Sequence, residues 1–204
     1  MRTYSALPHL NGNLLAAVDV ETTGRRANYH EIVQIAVVPL NSDIRPLEGV
    51  TPFYTTVKPL HLERVEAAAR NVHGLDLAKL CQYAPHPDKV ADMLVEWFEK
   101  LDLPFEKKLV PLAQNWAFES SFLQAWLGVP LKEKLFMGLA RDSMSLALSI
   151  NDRAVFRGEP APFNKVNLAY LCEKFGVVNQ NAHDAFADCI AEAEVYRAMM
   201  YFDV

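Results

Sequence analysis

A chain of 204 residues, 51% hydrophobic and 22% charged, has room for one globular domain, read here as 1–204, with a sizeable core. No apolar run approaches the roughly 20 residues of a membrane span, and no apolar segment with a small-residue cleavage site follows Arg2, which argues against a secretory signal. The net charge of −5 argues against a protein that coats duplex by charge alone, and leaves room for short, local or metal-assisted contacts.

Cys81, Cys172 and Cys189 are widely spaced and odd in number, which fits neither a disulfide framework nor a zinc site. A reducing cytoplasmic location is expected.

Taken in order, residues 1–13 read as an irregular lead-in. Residues 14–20 are an apolar run with β-branched Val18 and Val20, the signature of a buried strand, and Thr22-Thr23-Gly24 stops it with turn chemistry. Residues 25–30 form a polar connection. A second strand follows over 31–38, closed by Pro39, and a third over 53–58, ahead of Pro59. Short connections between the three suggest an antiparallel meander.

Helical patterning takes over from there. Residues 62–70 read as a helix broken at 71–75, and 88–101 as an amphipathic helix with Val90, Met93, Leu94, Trp97, Phe98 and Leu101 on its apolar face. Residues 109–113 form a fourth strand, which Pro111 places at an edge or a terminus. Helices are expected over 118–127, stopped by Gly128 and Pro130, and over 142–149, 167–175 and 185–200. Residues 151–164 read as a loop. There are no repeats.

Successive strand side chains alternate faces, so Asp19 and Glu21 share one. Two adjacent carboxylates at the end of a buried strand lose hydration and repel each other. Either the strand ends early and both are solvated, or a divalent cation compensates them. Two later segments bear on that choice. Gln114 to Glu119 is a strand end entering a helix, with Glu119 in the first turn. His183 to Asp188 opens the last helix. Taken alone, Glu119 and Asp184 could simply complement helix dipoles, and His183 could be a surface residue.

Together these segments resemble the DnaQ-like 3′→5′ exonucleases of the His-containing DEDD (DEDDh) group. Asp19-Val20-Glu21-Thr22-Thr23-Gly24 matches the family's first motif, Asp-x-Glu-Thr-Thr-Gly, in full. His183, Ala185 and Asp188 match the third, His-x-Ala-x-x-Asp. The second motif, His-Asn-x-x-Phe-Asp, keeps Asn115 and Phe118 but has Gln114 for the His and Glu119 for the Asp. Asn71-Val72-His73-Gly74-Leu75 is similar to the family's Asn-x-His-Gly segment.

The resemblance spans about 14–202 and implies an α/β, ribonuclease H-like fold. Its mixed five-stranded sheet would have three antiparallel strands first and helices on both sides. It implies two Mg²⁺ or Mn²⁺ ions held by Asp19, Glu21, Glu119 and Asp188, with Asp19 bridging and His183 as general base. Two ions about 3.5–4 Å apart activate a water and neutralise the leaving 3′-oxygen of a phosphodiester, and an imidazole exchanges protons near neutral pH.

His183 and Asp188, five residues apart, can converge only if His183 lies in the loop before the helix. Asp184, four residues from Asp188, is a rival ligand. The extra methylene of Glu119 moves its carboxylate by roughly 1 Å, enough to matter to rate.

The implied partners are single-stranded 3′ ends of DNA or RNA, and relatives act as monomers, as homodimers or attached to a polymerase. A weakly active proofreading subunit or an end-binding module is the alternative. Thr22, Thr23, His73, Asn115 and Phe118 are candidate contacts to the terminal nucleotide. Arg153, Arg157 and Lys165 form a basic cluster that could handle the incoming strand or be a solvated loop.

Overall fold

The chain's fold, described here from a computed structural model over residues 7–203, starts with a short 3-10 turn at Pro8–Leu10. The first six residues of the expected lead-in lie outside the described residues. Five strands follow: β1 (Leu14–Thr22), β2 (Ile32–Pro39), β3 (Phe53–Thr56), β4 (Leu109–Ala113) and β5 (Arg141–Asp142). They lie in the order β3-β2-β1-β4-β5. β1 and β3 run antiparallel to β2, and β4 and β5 run parallel to β1. The expected mixed sheet, with its antiparallel front, is therefore present.

The alternation of β1 sorts its side chains. Leu14, Ala16, Val18 and Val20 enter one apolar layer with residues of α3 (Pro87–Lys100) and α4 (Trp116–Leu135). Leu15 and Ala17 enter the other, with Ala36, Val38, Val110 and Leu112. That second face packs on α7 (Ala185–Met200), whose Ala185, Cys189 and Ala193 keep the helix close. Small residues on both sides allow this approach, and the Cys189 thiol reaches the Ala36 carbonyl at 3.7 Å. Asp19 and Glu21 continue the odd-numbered series at the end of β1, on the α7 side.

Several expected elements differ. β4 is not an edge strand: it is buried between β1 and β5. Pro111 is tolerated because the outer ladder is interrupted there, between the Leu109–Phe136 bridge and the Leu112–Arg141 pair. The expected helix over 62–70 resolves into a 3-10 turn at Leu62–Arg64 and α1 (Ala67–His73), so the expected break at 71–75 falls after His73, at Gly74. α2 (Leu77–Tyr83) was not expected; Asp76 caps it by accepting from the Lys79 N–H.

α4 begins at Trp116 and consists of two segments joined at Gly128, whose φ of 73° breaks the helix at the expected place before it resumes to Leu135. α5 (Ser143–Phe156) runs well past the expected 149, so Arg153 is helical rather than in a loop. α6 (Leu168–Phe175) lies where expected. Among the described residues, no helix is long and apolar enough to cross a membrane.

Candidate active site

The parallel strands β1 and β4 end side by side, and in open α/β sheets a crevice forms outside such carboxyl ends. Here that crevice is a cleft of about 550 Å³. Asp19, Glu21 and Thr22 reach it from β1, Gln114 and Asn115 from the end of β4, and Phe118 and Glu119 from the first turn of α4. Asp188 of α7 and His183, just before that helix, also line it, as do Ala68, Ala69, Val72 and His73 of α1. Segments far apart in the sequence thus meet in one place.

His183 precedes the Asp184 N-cap, outside α7, with a left-handed φ of 68°. Its backbone N–H donates to Asp188 Oδ2 at 3.1 Å, and Asn179 Nδ2 holds Oδ1 at 2.5 Å. Ligand atoms of Glu21, His183 and Asp188 lie within 4.8 Å of one another, close enough to hold one metal ion. Asp19 Oδ2 and Glu119 Oε2 are both sealed from solvent without a hydrogen-bond partner. Buried carboxylate oxygens with no donor are costly unless a cation completes them, so these residues fit a metal site.

Electrostatics agree. Burial, then Asp188 and Asp184, push the Asp19 carboxyl up to about 8. Burial, then Asp19, Asp188 and Asp184, push Glu21 up to about 9. Burial, then Asp19, raises Glu119 well above the ordinary range, and burial raises Asp188 despite the donors it accepts from. Four acids compete to stay neutral, which positive charge brought into the cleft would reverse.

Two expected roles change. Asp184 is the N-cap of α7, accepting from the Ala187 N–H at 3.1 Å. Gln34 Nε2 also donates to it at 3.1 Å, as does the Tyr54 hydroxyl, so both carboxylate oxygens are engaged away from the cleft. As a cap it lies outside the helix, which removes the i, i+4 face argument for a rival ligand. Thr23 is fully buried: its N–H donates to the Glu31 carbonyl and its hydroxyl accepts from the Glu31 N–H, so the expected substrate contact falls away.

The other candidate contacts line the cleft. His73 is 8% exposed; its Nδ1 accepts from the Leu75 N–H, which leaves a donor on a buried Nε2 that has no protein partner. Burial, His183 and Arg70 all hold it below the usual imidazole range, in its neutral form. Asn115 makes no side-chain cap to α4, and Phe118 packs on Phe122 with ring centroids 4.8 Å apart.

Three residues beside the site carried no signal in the sequence. Gln34, opposite Glu21 in the β1–β2 register, accepts from the Ala185 N–H at 2.9 Å and so anchors the start of α7 to the sheet. Ser143 Oγ lies 2.7 Å from Gln114 Oε1 and 2.9 Å from Glu192 Oε2. Burial, Asp142 and Asp19 push Glu192 up to about 8, against the contrary pull of Ser143.

The model of a known family, RNase T, described as an exonuclease family, matches residues 16–196. The chain belongs to that exonuclease family. That membership bears out the resemblance to the DnaQ-like group. No curated protein matches. Among solved structures, E. coli Exonuclease I in complex with a dT13 oligonucleotide is 18% identical with a TM-score of 0.70, over 91% of this chain and 40% of that one. Cell-death related nuclease 4 is 20% identical, TM-score 0.66, over 92% and 64%. The nuclease domain of 3′hExo, a DEDDh family member bound to rAMP, is 20% identical, TM-score 0.64, over 92% of each. These likenesses establish the ribonuclease H-like exonuclease fold. The chain spans about two fifths of the length of Exonuclease I.

Proposed function

We propose that the chain is a divalent-metal-dependent 3′→5′ exonuclease that releases nucleoside 5′-monophosphates from single-stranded DNA or RNA. The observation that carries this reading is the convergence of Asp19, Glu21, Glu119, Asp188 and His183 in one cleft, with two carboxylate oxygens buried and unpartnered. Asp19, Glu21, Glu119 and Asp188 would hold two Mg²⁺ or Mn²⁺ ions, which supply Lewis-acid activation of a water and charge neutralisation at the leaving 3′-oxygen.

The chain's own groups do the rest. His183, exposed and on a loop, accepts the water proton on an imidazole nitrogen beside Glu21 and Asp188. The His73 Nε2–H and the Asn115 amide offer hydrogen bonds to the terminal nucleotide, and Thr22 lines the cleft beside them. Phe118, facing Ala68, Ala69 and Val72, gives the terminal base an apolar slot.

The test is incubation with 5′-labelled oligonucleotides and Mg²⁺, with matched DNA and RNA. A ladder shortening from the 3′ end is expected, abolished by EDTA and by Asp19→Ala. Glu119→Gln should reduce the rate about a hundredfold or more. Binding without shortening would overturn the enzyme in favour of an end-binding module, and an unchanged rate in Glu119→Gln would remove Glu119 from the site.

A further inference from the structure

The cleft holds the end of a strand; the rest of that strand must leave across the surface. Arg153, Arg157 and Lys165 do not line the cleft, and Arg153 Nη2 donates to the Phe202 carbonyl at 3.2 Å. A different group of cations stands at the mouth. Arg25 lines the cleft with its side chain 89% exposed, and Arg26 follows it. The guanidinium carbon of Arg26 sits 4.7 Å from the ring centroid of Tyr29, and that of Arg64 sits 5.1 Å from it.

This arrangement is built rather than incidental. His30, 5% exposed, packs against Gly24 so closely that a Cβ there would lie 2.5 Å from its ring. Its Nδ1 accepts from the Arg26 N–H at 2.9 Å, its Nε2 faces Glu66 Oε1 at 3.4 Å, and its ring meets Tyr29 edge-on at 5.1 Å. The buried imidazole therefore turns Arg25, Arg26 and Tyr29 outward.

Three acids stand against the three arginines, so the surface is close to neutral in sum. Glu31 is occupied by the N–H groups of Leu60 and His61, Glu66 lies 4.0 Å from Arg25 Nε, and Glu63 lies 3.6 Å from Arg64 Nε. Arg26 adds charge with no carboxylate of its own among the ion pairs described. What the surface offers beside the cleft is therefore guanidinium groups rather than net charge: Arg26 is exposed, and the surface pairs of Arg25 and Arg64 are loose enough for a phosphate to replace the carboxylate.

We propose that Arg25, Arg26 and Arg64 bind backbone phosphates of the single strand upstream of the terminal nucleotide, with the Tyr29 ring holding the Arg26 and Arg64 guanidinium groups in place. Guanidinium groups grip phosphate in a bidentate way, and the backbone phosphates are alike whatever the base, so the surface favours length without reading sequence. This rests on the proposed exonuclease reading, and the experiment separates the two.

Compare kcat/KM for a trinucleotide and for an oligonucleotide of about 15 nucleotides at low and moderate salt, in the full chain and in Arg26→Ala/Arg64→Ala, Tyr29→Leu and Arg153→Ala/Arg157→Ala. In the full chain the longer substrate is expected to be preferred about tenfold or more, through KM. In Arg26→Ala/Arg64→Ala that ratio should fall to within about twofold of one, and the log–log salt slope should drop by roughly 1.4, two phosphates at about 0.7 each. Tyr29→Leu, which keeps both charges, should narrow the ratio without changing the slope.

No length preference in the full chain, an equal loss on both substrates, or a preference removed by Arg153→Ala/Arg157→Ala instead would each overturn the proposal. Fluorescence anisotropy of the longer oligonucleotide on Asp19→Ala gives a readout without turnover. Tight binding weakened by Arg26→Ala/Arg64→Ala supports the rim even if the chain cleaves nothing, and binding indifferent to those residues overturns it.

Discussion

Glu192 lies one helical turn beyond Asp188 and is 3% exposed, and its Oε1 has no partner. Ser143 has one hydroxyl proton and two oxygen neighbours, Gln114 Oε1 and Glu192 Oε2. A neutral Glu192 resolves this by donating to Ser143, which then donates to Gln114, whose amide in turn donates to the Val166 carbonyl. The chain of bonds orients Gln114, which lines the cleft at the end of β4.

Glu192→Gln supplies an amide donor in the same volume, so urea unfolding at pH near 7 should change by less than about 1 kcal/mol, whereas Ser143→Ala should cost about 1–3 kcal/mol by orphaning two buried groups. None of this was legible in the sequence. Ser143 sits in an ordinary helical first turn, and although Glu192 shares the face of Asp188 as its i+4 neighbour, nothing local distinguishes it from a solvated helical acid. The convergence of Asp19, Glu21, His183 and Asp188 was legible only through the likeness of two short segments to family motifs; taken alone, the acid pair was left open and His183 read as a surface residue.

At the scale of the element, the start of α7 matters most. The Asp184 cap, the Gln34 amide and the Tyr54 hydroxyl fix where the helix begins, and with it the left-handed His183 and the Asp188 carboxylate. Asp184→Ala should lower stability by about 1–2 kcal/mol, a Tm decrease of about 2–8 °C. It should also lower kcat, since His183 loses its placement; thermal unfolding alongside the ladder assay checks both.

Strand identity was readable from β-branched runs. Helix extents were read less well where local punctuation misled. Gly128 and Pro130 do interrupt α4, but proline suits the first turn of the segment that follows, so the helix resumes. β5 spans only Arg141–Asp142, too short for any periodicity, and exists because β4 offers an edge. Gln34 read as sheet core for the same reason: its strand is apolar, and only the docking of α7 from 150 residues away shows what its amide is for.

Across the whole molecule, the raised carboxyls couple stability to pH. Asp19 and Glu21 have folded values of about 8 and about 9 against reference values of 3.8 and 4.5. Each binds its proton more tightly folded than unfolded, so its contribution is complete below the unfolded value and is lost as pH rises through the folded one. In EDTA, Tm should therefore fall between about pH 5 and about pH 9, by roughly 5 °C or more. Millimolar Mg²⁺ should recover most of that loss at the alkaline end and change little at the acid end, where protons already occupy the oxygens. A flat profile in EDTA would contradict the burial of these acids.

Gly24 joins the two halves of this design. It ends the motif that carries Asp19 and Glu21, and the space where its side chain would be is filled by the His30 ring. The absence of one methyl group thus sets the spacing between an anionic floor and a guanidinium-studded lip. Lineages that keep the acids but put a bulkier residue at that position would have to re-route the outgoing polymer.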